Sequence, residues 1–156
     1  MSNFEHIFIN SELERDRLAE QLAVTLGLAQ TRVDDKLFLA RPAHTAPDAQ
    51  TGGELAINGF GAFADDAGDE SVIDGYRYVW SIAYTGSDEI AQVAEARQLF
   101  VELAEAACWP ILLALGLDVL LAAWNPTDGL TWFSPDTSVD AADRDRWRRY
   151  ALPRLS

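Results

Sequence analysis

Apolar and polar residues alternate over residues 4–9, with Phe4, His6 and Phe8 on one side and Glu5, Ile7 and Ile9 on the other. Period-two alternation of this kind predicts a short strand. The period then lengthens. Leu18, Leu22 and Leu26 recur at helical spacing and predict a helix over 12–26. Ser11 and Glu14 have the spacing of a capping box, and Gly27 is a fitting stop.

Residues 36–41 form a short apolar run that reads as a strand, and 42–53, with two prolines and two glycines, read as a loop. Residues 54–64 read as a strand that Gly59 and Gly61 interrupt, the mark of a bulge or a close backbone approach. A turn follows over 65–74. The clearest strand is 76–84, with Tyr76, Tyr78, Trp80, Ile82 and Tyr84 on one face and Arg77, Val79, Ser81 and Ala83 on the other. A second helix starts near Ser87 or Asp88, where Asp88 and Glu89 suit the positive end of the helix dipole. Ile90, Val93, Ala94, Arg97, Phe100, Val101 and Ala104 form its stripe, and Pro110 ends or kinks it.

Residues 111–115 read as a short helix stopped by Gly116, followed by a buried strand over 119–124. Asn125, Pro126, Thr127, Asp128 and Gly129 are a turn signal, so 130–133 return as a hairpin partner. The tail reads as a last short helix, capped by Asp140 and ending among Arg146, Arg148 and Arg149. The order β-α-β-β-β-α-β-β-α predicts one α+β domain over 1–156. Its expected form is a single antiparallel sheet of five to six strands, with two main helices on one face and a short C-terminal helix.

Charge adds what the pattern lacks. The 156 residues carry 25 acids and 12 bases, net −13. The excess is uneven: residues 1–135 hold 21 acids and seven bases, whereas 136–156 hold four acids and five bases. An acidic body repels phosphate backbones and anionic membranes, which argues against nucleic-acid and membrane partners. It attracts a basic protein and speeds the encounter. Surplus carboxylates also keep a small protein in solution, so charge alone does not choose between partner and solubility. The start, MSNFEHIF, has no basic region before a long apolar run, and the longest apolar run, 106–117, contains Pro110 and is too short to span a bilayer. The address expected from this is cytoplasmic.

Candidate chemistry is sparse in the sequence. His6 and His44 fall in a strand and a loop without metal-ligand spacing, and Cys108, the single cysteine, reads as a buried thiol. There is no Gly-x-Ser-x-Gly elbow and no phosphate loop, and Gly59-Phe60-Gly61 lacks the third glycine of a dinucleotide site. The run 65–70 could wrap a hard cation loosely, but it lacks the spacing of a calcium loop. No catalytic group, metal or cofactor is therefore expected. The expected partner-binding residues are Asp65, Asp66, Asp69, Glu70 and Asp74 for steering, with Tyr76 and Tyr78 as anchors. A competing reading places the aromatic strand in the core.

A strand, a capped helix, three strands ending in the aromatic Tyr76-Arg77-Tyr78-Val79-Trp80-Ser81-Ile82, a long helix over 88–107 and a final strand pair make an arrangement that resembles bacterial immunity proteins of polymorphic toxin systems. The likeness is closest to the SitI-type antitoxins and covers roughly residues 4–134. It implies a non-enzymatic inhibitor that binds a cognate toxin domain, and a basic toxin groove would suit an acidic binder. It fixes no individual residue. Two further readings remain: a small-molecule-binding or enzymatic domain with a pocket near Trp80, Trp109 or Trp124, and a subunit that self-associates through an exposed sheet face.

Overall fold

The computed structural model describes residues 4–59, 70–106 and 108–153. Along the chain run β1 (Glu5–Ile9), α1 (Arg15–Leu26), β2 (Ala29–Val33), β3 (Lys36–Pro42), β4 (Gln50–Ile57) and β5 (Tyr78–Tyr84). Then come α2 (Glu89–Ala106), β6 (Ile111–Leu115), β7 (Val119–Asn125), β8 (Gly129–Trp132) and the single-turn α3 (Arg144–Trp147). The strands form one antiparallel sheet in the order β2-β3-β4-β5-β1-β6-β7-β8. The architecture is α+β with a single antiparallel sheet, as the pattern predicts, but it has eight strands among the described residues rather than five or six.

The two unanticipated strands were hidden for opposite reasons. Ile111, Leu112, Leu113 and Ala114 of β6 are all fully buried, because β6 sits inside the sheet with both faces covered. Such a strand reads as a continuous apolar run, which periodicity does not separate from a helix. All five residues of β2 are exposed, because it is an edge strand, and it carries no buried alternation to detect. The expected loop over 42–53 is also corrected. β3 extends to Pro42 and β4 begins at Gln50. Gly53 marks a close approach inside β4: a Cβ there would lie 2.1 Å from the Ser81 carbonyl oxygen. The end of the strand expected over 54–64 falls outside the described residues from position 60 onward.

α1 and α2 pack on one face of the sheet, over Ile7, Ile9, Leu39, Leu55, Trp80 and Leu113. Leu18, Leu22 and Leu26 supply the buried stripe of α1 as expected, and Gly27 stops the helix at φ +68°. The capping box at its start does not form. Ser11 Oγ accepts from the Leu13 amide at 3.1 Å, and the helix begins only at Arg15. The carbonyls of Ser11, Glu12 and Leu13 are engaged by Arg77 Nη1, and Leu13 also accepts from the Tyr78 hydroxyl at 2.6 Å, which holds 11–13 outside the helix. At the other end of α1, Arg41 Nη1 donates to the Leu26 carbonyl at 2.8 Å while its guanidinium grips both carboxylate oxygens of Glu102 on α2. One buried arginine thus ties both helices to β3, with its charge at the negative end of α1.

The opposite face is covered only in part. The 3-10 turn Val72–Gly75 and the C-terminal segment carrying α3 bury Phe8, Val79, Leu112, Leu120 and Ala123 beneath Trp147 and Tyr150. Asp140 precedes the tail's first turn but makes no side-chain cap bond; Asp143 instead accepts from the Ser138 amide.

Candidate functional site

The expected steering and anchoring residues divide three ways. Asp65, Asp66 and Asp69 lie outside the described residues. Glu70 pairs with Arg144 at 3.4 Å. Asp74 is 8% exposed, and its Oδ2 accepts from the Ser71 amide at 2.9 Å, closing a reciprocal capping box on the 3-10 turn. The described end of the acidic segment therefore has structural duties that a partner would have to displace.

Tyr76 and Tyr78 are buried, so neither ring offers a surface for anchoring. They also part company. Tyr78 joins Trp80 and Ile82 beneath the helices, whereas Tyr76 precedes β5 and packs under the tail. Burial keeps the Tyr76 phenol protonated far above its ordinary range, and it donates to the Tyr150 carbonyl at 2.7 Å. Trp80 is fully buried, with its indole N–H on the Gly53 carbonyl at 3.1 Å. Trp109 and Trp124 are partly buried and pack against the same core. Cys108, expected to be buried, is exposed.

The surface that the sequence reading missed lies on α2. Its buried face is Ala91, Glu95, Ala96, Leu99, Phe100, Leu103 and Ala104. Ile90, Val93, Ala94 and Arg97, expected on that face, point outward instead, and Ile90 is 82% exposed. Asp88 caps the helix, its Oδ1 accepting from the Ile90 amide at 2.9 Å and from the Ala91 amide at 3.3 Å. Glu95 holds the helix in this rotation: its two carboxylate oxygens accept from the backbone amides of His44 and Thr45 at 2.9 and 3.0 Å. A buried carboxylate held by two amides is satisfied, so a charged residue occupies a core position while an isoleucine faces solvent.

The outward stripe lines a shallow depression of about 470 Å³, bounded by Glu89, Ile90, Val93, Ala94 and Arg97. It continues onto the end of the sheet. The Arg97 guanidinium lies 5.3 Å from the centre of the Trp132 ring, and Trp132 meets Phe100 edge-on at 6.1 Å. Trp132 is 43% exposed and Leu130 beside it on β8 is 42% exposed. Exposed carboxylates flank the same elements: Asp88 and Glu89 at the start of α2, and Asp128 in the turn before β8. Beneath the helix, burial raises Glu5 above the usual carboxylate range, while the Gln92 amide donates to it at 3.3 Å. The sequence did carry a signal for this surface. A helix with apolar residues around most of its circumference has one apolar face more than a single sheet can cover.

No described helix is long and apolar enough to cross a membrane. The sequence matches no family model, and comparison with curated proteins and with solved structures finds no match.

Proposed function

We propose that this chain is a non-enzymatic binding protein that holds a basic protein against the surface formed by α2 and β8. The observation that carries the reading is the outward stripe of Ile90, Val93 and Arg97 running into Trp132. Tryptophan and arginine are the residues most enriched among energetic anchors of interfaces, and clustered aliphatics around them exclude water. Scattered exposed apolar residues need no explanation, but a helical stripe that continues onto an aromatic strand is a coherent patch. Net charge of −13, with Asp88 and Glu89 at the start of α2 and Asp128 in the turn before β8, favours a basic partner and fast encounter. Asp65, Asp66 and Asp69 add to that steering field.

The resemblance to SitI-type immunity proteins supports a toxin domain as the partner, bound in the cytoplasm of the cell that makes both. Anchoring then rests on Trp132 and Ile90 rather than on the buried Tyr76 and Tyr78. Co-expression with the basic protein encoded beside this chain tests the reading. A stable complex that the double substitution Ile90→Ser, Val93→Ser dissolves is the expected result. Absence of a complex, or a complex indifferent to that substitution, overturns it.

A further inference from the structure

Among the described residues, the C-terminal segment packs over only part of the sheet face opposite α1 and α2, and residues of β3, β4 and the adjoining end of β5 lie outside that cluster. A cleft of about 330 Å³ opens among them. Phe38 and the 46%-exposed Phe4 stand among its lining residues, and Ala40, Gly52, Gly53 and Ala83 bring little or no side-chain bulk to it. The small residues are enforced by the backbone: a Cβ on Gly52 would lie 2.1 Å from the Leu39 carbonyl oxygen, and Gly53 meets Ser81 equally closely.

Glu54 is the one carboxylate among the described lining residues. It is half-buried directly opposite Phe38 across the β3–β4 seam and makes no hydrogen bond or ion pair among the described residues. Its position contrasts with that of Glu95, whose carboxylate is fully satisfied by backbone amides. A lone carboxylate within apolar and aromatic walls attracts a cation that also has apolar surface to bury. A hard metal ion is a poor fit, because calcium takes six to eight oxygen ligands and one carboxylate on an apolar floor supplies few of them.

We propose that this cleft is a binding site for a small organic cation, an alkylammonium group held beside Phe4 and Phe38 with its charge on the Glu54 carboxylate. The neighbouring histidine does not oppose it. His6 Nδ1 lies 3.1 Å from Ser81 Oγ, and burial holds the imidazole below its ordinary range, hence uncharged at neutral pH. The site lies across the sheet from the α2 surface, so it is independent of the protein-binding proposal.

Titration of the ¹⁵N-labelled chain with butylammonium chloride, followed by amide shifts, tests the inference. Sodium butyrate and 1-butanol serve as the anionic and neutral comparisons at matched ionic strength. The expected result is saturable movement of the Gly52, Gly53, Glu54 and Ala83 amides by butylammonium alone, with a Kd on the order of 1–10 mM. Glu54→Gln weakens it about tenfold while leaving the remaining spectrum in place, and Ile90→Ser, Val93→Ser leaves it unchanged. A blocked Gly-Lys-Gly peptide distinguishes a free amine from a lysyl side chain as the natural source: tighter binding by the peptide assigns it to a lysine. Equal binding of butanol, unchanged affinity in Glu54→Gln, or no saturation at these amides overturns the inference.

Discussion

Leu99 and Ile90 lie on one helix and meet opposite fates. Leu99 is fully buried against the sheet, whereas Ile90 is 82% exposed. The buried face of α2 mixes leucine and phenylalanine with alanines and Glu95; the exposed face carries isoleucine, valine and an arginine laid over Trp132. Hydrophobicity alone did not decide which face turned inward. Ala91, Ala96 and Ala104 take inward positions, Glu95 found two backbone donors, and Asp88 caps the first turn. The outward face keeps isoleucine and valine at 82% and 38% exposure, a surplus of apolar surface that the proposed partner would cover.

The contrast sets the order of expected effects. Leu99→Ala empties fully packed volume and should cost about 3 kcal/mol in chemical denaturation. Glu95→Ala leaves the His44 and Thr45 amides without their acceptor and should cost about 2 kcal/mol, with faster hydrogen exchange at those two amides as its specific signature. Glu102→Gln weakens the paired bonds to Arg41 and should cost about 1.5 kcal/mol at neutral pH. The Arg41 hydrogen bonds hold Glu102 below its ordinary value of 4.5, so this stabilisation is complete above that value and is lost as pH falls through the lower folded-state value. The difference between wild type and Glu102→Gln should therefore shrink on acidification. Ile90→Ser with Val93→Ser should change stability least, within about 0.5 kcal/mol per site. A large loss there would show that the outer stripe serves the fold and would erase the contrast between the faces.

How much of this was legible depended on whether a residue's neighbours are local. The leucine stripe of α1, the Gly27 stop, the Asn125–Gly129 turn and the alternation of β1 are encoded within a few residues, and they stand as read. The Ser11 cap failed because Arg77 and Tyr78, more than 60 positions away, engage the carbonyls beside it. The rotation of α2 was misread for the same reason: the partners of Glu95 are the amides of a loop about 50 positions earlier. Tyr76 and Tyr78 looked equivalent because alternation was assumed to begin at 76, whereas β5 begins at Tyr78 and the two rings enter different cores. The cleft was not legible because its lining comes from four separate stretches of chain, Phe4, β3, β4 and the end of β5.

The most direct measurement is calorimetric titration of the basic partner proposed above into the wild-type chain and into Trp132→Ala. Loss of Trp132 should weaken binding by about thirtyfold or more, beyond the loss of its contacts with Phe100 and Arg97 that circular dichroism of the free variant reads separately. Equal affinity for the two chains, or no heat of binding to the wild type, would contradict the assignment of the α2–β8 surface as the place where a partner is held.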